Sequence, residues 1–258
     1  MGITFSEQAT DEVSKKIYFN PDNQPTGFCE FVGQKEALSC IKTYCRAAKK
    51  RNEYLDHILI VGKPGLGKAT LAHTISTEMD AKMASAFSDG IQTPGDLVGA
   101  LTNLNDGDIL FFEEIQSLVN QREIRKILEL AMDQFVIDLV LGKGPSANMI
   151  HLDIPHFTLI ATTSDDTFVN SSLASHFGAI IHLRDYQRSE LAALVELYAN
   201  KWGIAIDEDS PMLIAEACSG TPRGAQTLLR RVRDFAQVYH ENVVHKELTT
   251  KAIGLICG

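Results

Sequence analysis

The sequence predicts an α/β fold: a parallel sheet flanked by helices that carries a phosphate-binding loop, followed by a small all-helical domain. Three observations predict it. Near-continuous apolar runs of strand length, "HILIVG" (57–62), "DILFF" (108–112) and "FTLIATT" (157–163), suit strands buried on both faces. Stretches with helical spacing of apolar residues lie between them, as in a sheet wrapped by crossover helices. After "HLRDYQRSE" (182–190) the strand signals stop and only helical ones continue.

The elements follow in order. Residues 1–24 are polar and are expected to form a flexible segment. Their opening "MGITFS" formally fits a myristoylation signal, Gly2 with Ser6, but such short matches are common and a loose polar start explains it as well. Residues 25–184 hold the α/β domain. Within it "ATLAHTISTEM" (69–79) is a helix, and "REIRKILELAMD" (122–133) repeats Ile124, Ile127, Leu128 and Ala131 at helical spacing. The stretch from Phe135 to Ile154 is a hairpin. Phe135, Ile137, Leu139 and Leu141 alternate on its first strand, and Met149 and Ile150 stand on the return. That apolar face either packs on the protein's own core or serves as a docking surface. Residues 185–258 form the helical domain: Leu191, Leu194, Val195 and Tyr198 line one helical face, Pro211 marks a helix start and Gly220 a stop. Arg230, Arg231 and Arg233 suit a solvated or salt-bridged helix face.

Bulk properties bound the function. With 258 residues the chain can bury ample core, and 45% apolar with 22% charged residues is ordinary for a globular protein. A net charge of −9 argues against a broadly basic nucleic-acid surface. Five cysteines without CxxC spacing (Cys29, Cys40, Cys45, Cys218, Cys257) suit reduced thiols and a cytoplasmic location. No stretch approaches the roughly 18 apolar residues of a membrane span, and the eight histidines show no metal-ligand spacing.

The chemistry gathers at two strand ends. "HILIVG" runs into Gly62-x-x-x-x-Gly67-Lys68 and then into a helix, the context a phosphate loop requires. Glycines let backbone N–H groups turn toward phosphates, the helix N-terminus adds partial positive charge, and Lys68 reaches the outer phosphates. Gly62, Pro64, Gly65, Leu66, Gly67, Lys68, Ala69 and Thr70 are therefore the expected binding residues for ATP or ADP. The strand "DILFF" ends in Glu113 and Glu114. In phosphate-loop ATPases the first such acid organises magnesium and the second orients the attacking water.

Together these residues resemble the RuvB-type AAA+ ATPases, the Holliday-junction branch-migration motors of bacteria. The resemblance rests on "FVGQ" (31–34), "DHILIVGKPGLGKATLA", "LTNLNDGDILFFEEIQSL", "GKGPSANMIHLDIPHFTLIATTS" and "SGTPRGAQTLLRRVRDFAQV", which occur in family order and spacing over residues of about 28 to 240. It implies an AAA+ nucleotide domain, a helical lid and a winged-helix DNA-binding domain, the last expected to be missing here because the sequence ends at Gly258. It also implies roles. Phe31 and Val32 match the segment whose backbone holds adenine, Thr163 the polar sensor on the third strand, and Pro222 and Arg223 the lid motif whose arginine contacts the γ-phosphate. The hairpin at 135–154 matches the one that docks the junction-binding partner RuvA. Partners would thus be RuvA-like or RuvB-like proteins, in a homo- or hetero-oligomer, with DNA reached only indirectly.

Three positions depart from that pattern, and all touch catalysis rather than nucleotide grip. Ala69 replaces the magnesium-binding Thr, Glu113 replaces Asp, and "SSLASHFG" replaces "SPLRDRFG", so the arginine-finger positions hold Ala174 and His176. An arginine finger is worth roughly 10³–10⁵ in rate, or about 4–7 kcal/mol of barrier. An imidazole, without a planar fork of donors, is no substitute. The expectation is a nucleotide-binding relative with weakened magnesium binding and poor or absent hydrolysis, acting as an adaptor or subunit in DNA recombination and repair. The alternative is an active motor that uses substitute residues or a partner's arginine.

Overall fold

A computed structural model describes residues 25–87, 90–141, 148–239 and 243–257. The N-terminal segment 1–24 lies outside the described residues, as do the turn of the hairpin and the side chains of Leu139, Leu141 and Met149. Helix α1 (Lys35–Arg51) buries Ala37, Leu38, Ile41, Cys45 and Ala48, one face at helical spacing. Strand β1 (Ile58–Val61) leads through the phosphate loop into α2 (Lys68–Met79). Next come β2 (Met83–Phe87) and α3 (Pro94–Thr102), the latter started by a Thr93–Asp96 capping box. Strand β3 (Ile109–Glu113) carries the two acids at its end and is followed by α4 (Arg122–Gln134). The hairpin pairs β4 (Val136–Leu141) with β5 (Asn148–Asp153), and β6 (Thr158–Thr163) and β7 (Ala179–His182) complete the sheet. Helices α5 (Arg188–Lys201), α6 (Ser210–Ala217), α7 (Pro222–Val238) and α8 (Lys246–Cys257) form the lid.

The sheet is parallel, in the order β2-β3-β6-β1-β7. Alternation along its strands splits the core in two. Ile58, Ile60, Phe111 and Ile160 face α1 and α2 in a cluster that runs on into the lid through Leu191, Val195, Leu229 and Val232. Leu59, Val61, Leu110, Phe112, Leu159 and Ala161 face α3 and α4. This period-2 division explains why the strands look apolar throughout: both faces are covered. The carboxyl ends of β3, β6 and β1 lie side by side, the place where an open α/β sheet presents its ligand site.

The hairpin's apolar residues divide between core and surface. Val136 and Ile137 are buried, Ile137 in the α4 side of the core. On the return strand Ile150 is 44% and Leu152 37% exposed. Phe135 is not part of the strand alternation; it caps α4 in a left-handed conformation, φ 56°. The arginines of α7 are engaged: Arg230 lies over the Trp202 ring at 4.9 Å, while Arg231 and Arg233 both reach Asp234. Among the described residues no helix is long and apolar enough to cross a membrane.

Candidate active site

The loop from Gly62 to Thr70 is held at both ends. The Gly62 N–H donates to the Thr163 carbonyl at 3.1 Å, tying the loop's start to β6. Gly65 and Gly67 have φ of +84° and +91°, a region where side chains are strained, and a Cβ on Gly65 would stand 3.2 Å from Thr221 Oγ1. The backbone is thus shaped as a cradle that only glycine permits at these two points. Lys68, 8% exposed, donates from Nζ to the Gly62 carbonyl at 2.6 Å and stands 3.1 Å from Glu114 Oε1. Leu66 is buried and anchors the loop in the core. Ala69 is half-buried, with its methyl group packed against the apolar cluster that includes Phe31 and Leu66. Thr70 accepts the Thr74 hydroxyl on its carbonyl at 2.8 Å, as an ordinary helical residue does.

The two acids have opposite environments. Glu113 closes β3 half-buried; burial and the neighbouring Glu114 raise its pKa, against the pull of Arg223 and Lys68. Glu114 adopts a left-handed backbone, φ 54° and ψ 57°, which costs a non-glycine residue about 1–2 kcal/mol. Its N–H donates to Thr162 Oγ1 at 3.1 Å. Burial would raise its pKa too, but hydrogen bonds from Gln116, Ser164 and Lys68 outweigh that and lower it. Glu114 is therefore held ionised beside Lys68. The donor set fits a nucleotide's phosphates: a glycine cradle, a buried ammonium and a helix N-terminus. Toward magnesium, Glu113 offers a carboxylate, and position 69 offers no side-chain oxygen.

The remaining predicted residues surround this centre. Phe31 is buried and its ring tip lies 3.8 Å from where a Cβ on Gly67 would stand; Val32 packs half-buried on the same cluster. The segment is fastened by Gln34, whose side chain donates to the Arg184 carbonyl and accepts the Arg184 N–H. From the lid, Pro222 opens α7, and the Arg223 N–H donates to the Gly65 carbonyl at 3.4 Å. A cavity of about 530 Å³ lies between Pro64, Gly65, Thr221, Arg223, Thr227 and Arg231. Thr163 is fully buried, and its hydroxyl accepts the Asp165 N–H at 3.1 Å.

Sequence reasoning passed over Thr162, Ser164 and Gln116, all three of which bond to Glu114. Thr162 and Ser164 flank the predicted Thr163, but no local pattern pairs them with an acid on another strand. It also passed over Asp133, whose Oδ1 lies 2.8 Å from His176 Nδ1. Ala174 is 1% exposed, inside the cluster with Leu128, Phe168 and Leu173. Ala174 and His176 are thus both engaged with their own chain.

Comparisons with known proteins agree with this geometry. Residues 23–183 match the Holliday junction DNA helicase RuvB P-loop domain and residues 186–256 the RuvB AAA lid domain. The chain is 40% identical over 237 residues to the Holliday junction branch migration complex subunit RuvB of Campylobacter fetus subsp. fetus, covering 92% of this chain and 68% of that one. The solved Thermotoga maritima RuvB Holliday junction branch migration motor is similar with a TM-score of 0.80 at 31% identity, over 91% of this chain and 73% of that one. A variant of the same protein gives 0.82 at 32% identity, again over 91% and 73%. Because the two domain matches run through the phosphate loop, the acid pair and the lid arginine, and the sheet and lid take the same fold, the chain belongs to the RuvB family.

Proposed function

We propose that this chain is a nucleotide-binding RuvB-type AAA+ subunit whose own ATP hydrolysis is weak, acting as an adaptor or nucleotide-stabilised subunit in machinery that works on recombination junctions. One observation supports the reading: Lys68, the loop glycines and Glu114 are gathered, whereas the residues at the three departing positions offer neither a hydroxyl nor a free guanidinium. Lys68, the glycine cradle and Glu114 converge within hydrogen-bond reach. Ala69 is half-buried against the apolar cluster, Ala174 is buried, and His176 is bonded to Asp133 of its own chain.

In this reading the cradle and Lys68 bind the phosphates, Phe31 and Val32 border the base, and Arg223 brings the lid to the phosphate end. Glu114 orients the attacking water. Magnesium, when bound through Glu113 and the nucleotide's own oxygens, supplies charge neutralisation at the outer phosphates. With neither a hydroxyl at position 69 nor a finger from a neighbouring copy, the developing charge is under-stabilised by about 4–7 kcal/mol. The exposed Ile150 and Leu152 support the hairpin as the docking face for a RuvA-like protein, and subunit edges as the place where a RuvB-like copy attaches. A second reading, an active motor completed by a partner's arginine, draws support from the held and ionised Glu114.

Phosphate release decides between them. Measured alone, the protein should turn over ATP well below about 1 s⁻¹, the lower end of ordinary enzyme rates. A rate at or above that value sinks the weak-hydrolysis reading. A large rise on adding a full-length RuvB-type partner would select the second.

A further inference from the structure

We propose that helix α1 makes a direct contact with the phosphate backbone of duplex DNA through Lys42, Arg46, Lys49 and Lys50. The helix carries Lys35, Lys42, Arg46, Lys49, Lys50 and Arg51 against one acid, Glu36, in a chain whose net charge is −9. By helical geometry Lys42, Arg46, Lys49 and Lys50 fall within about 100° of arc, beside the buried row of Leu38, Ile41, Cys45 and Ala48. Arg51 is paired with Glu53, and Lys35 lies in the field of Glu190. Among the described residues the other four cations form no ion pair; Lys42 lies over the Phe28 ring at 5.7 Å. The arginines of α7, by contrast, are engaged with Trp202 and Asp234.

The stripe borders a recess. Lys42, Arg46 and Lys49 line a cavity of about 230 Å³ with Phe28, Cys45 and Glu78. Glu78 is already committed: its Oε1 accepts the Phe28 N–H at 2.9 Å and fastens the turn that closes the recess. Three cations against one carboxylate leave the lining net positive, which suits an anion. From Lys42 to Lys49 the helix rises about 10 Å, which matches about three phosphate intervals of one DNA strand. Arg46 adds a planar fork of donors that can hold a phosphate with two hydrogen bonds. A protein partner would instead require an apolar centre. Tyr44, the exposed large apolar side chain of α1 among the described residues, lies roughly opposite Lys42 on the helix. The recess shares no lining residue with the lid cavity beside the phosphate loop. Glu78 also stands about 15 Å along the axis of α2 from Lys68, so DNA and nucleotide can be held together.

The assignment rests on the reading that the chain works at recombination junctions, and it departs from the expectation that DNA is reached only indirectly. The test is fluorescence anisotropy of a labelled DNA duplex with the intact protein across a salt series. Binding should be measurable at about 50 mM salt and fall away toward about 200 mM, with a log–log slope of about −3.6 for four phosphate contacts. Arg46→Ala with Lys49→Ala should weaken binding at least about tenfold at the lower salt and flatten the slope by about two. Arg46→Lys with Lys49→Arg, which keeps the charge, should bind like the parent. Arg188→Ala with Lys246→Ala removes the same formal charge from the lid and should change affinity less than about twofold, because distant charges are screened. Equal losses in the two alanine pairs would report net charge instead of a site and overturn the proposal. An intact protein that does not bind the duplex at the lower salt also overturns it, while phosphate release still judges the weak-hydrolysis reading by itself. Displacement of the duplex by a poly-glutamate peptide at equal charge concentration would assign the stripe to an acidic protein. Displacement by inorganic triphosphate, with ADP filling the phosphate loop, would assign it to a small anion. Either result overturns the assignment to DNA.

Discussion

His176 Nδ1 lies 2.8 Å from Asp133 Oδ1, so the residue that we propose stands at the arginine-finger position is fastened to helix α4 of its own chain. On the proposed weak-hydrolysis reading, that bond shapes any attempt to raise the rate. Asp133 is half-exposed and would capture a guanidinium in cis. His176→Arg combined with Asp133→Asn should therefore raise phosphate release more than His176→Arg alone. The gain should grow with protein concentration, because a finger acts on the neighbouring copy. Ala174→Arg should instead destabilise the fold by several kcal/mol, since it forces a cation into an apolar cluster. A concentration-independent gain, or an Ala174→Arg variant as stable as the parent in urea, contradicts this account.

Restoring the metal-binding letters is a separate matter. Ala69→Thr with Glu113→Asp should make ATP binding depend more steeply on magnesium, read as the ratio of dissociation constants with and without the ion. Position 69 is only half-buried, so the added hydroxyl can be accommodated. Turnover should rise less than with the finger variants, because the transition state still lacks its cation. An unchanged magnesium ratio would show that Glu113 already serves as well as Asp.

Lys68 combines burial with a place in the cradle. Saturating ATP or ADP should raise the melting temperature of the parent, since a ligand at about 100 times its dissociation constant adds about 2.7 kcal/mol. Lys68→Ala should lose most of that rise. The binding half of the proposal fails if neither nucleotide shifts the parent's melting temperature.

His57 makes stability fall with acid. Its Nδ1 accepts the Leu159 N–H at 2.8 Å, so the proton sits on Nε2, 3.1 Å from the Met132 carbonyl. Burial lowers its pKa below 6.5, with the Met132 bond opposing. The folded state prefers the neutral ring, so this stability is complete above pH 6.5 and is lost as pH falls below it. His73, also lowered by burial, acts in the same direction. His57→Ala should cost stability at pH 8 yet flatten the decline between pH 6.5 and pH 5. Equal slopes for parent and variant in urea titrations would exclude His57 as the source.

The exposed side of the hairpin is testable without nucleotide. Ile150→Asp with Leu152→Asp should abolish binding to a RuvA-like protein in a pull-down with purified components, while melting stays within about 1 °C of the parent, as for most exposed substitutions. Unaltered binding would move the docking surface elsewhere.

Much of this protein was decided locally in the sequence. The apolar runs of β1, β3 and β6, the glycine spacing before Lys68 and the acid pair after Phe112 are each legible because one short segment carries the whole signal. Strands β2 and β7 were less so: "MASAF" is small and weakly apolar, and "AIIH" is an edge strand with Ile180 exposed. The hairpin's alternation was visible, but which of its apolar residues meet the core depends on how its base packs against α4. The companions of Glu114 and His176 were invisible for the same reason. Ser164 lies 50 residues from Glu114 and Asp133 lies 43 from His176. Such polar pairs leave no periodicity; they exist because β6 is laid beside β3 and the segment after it is folded back onto α4. Sequence determined which groups the chain carries to its strand ends. Only the order of strands in the sheet decided which of them touch, because hydrogen bonds form between neighbours in space.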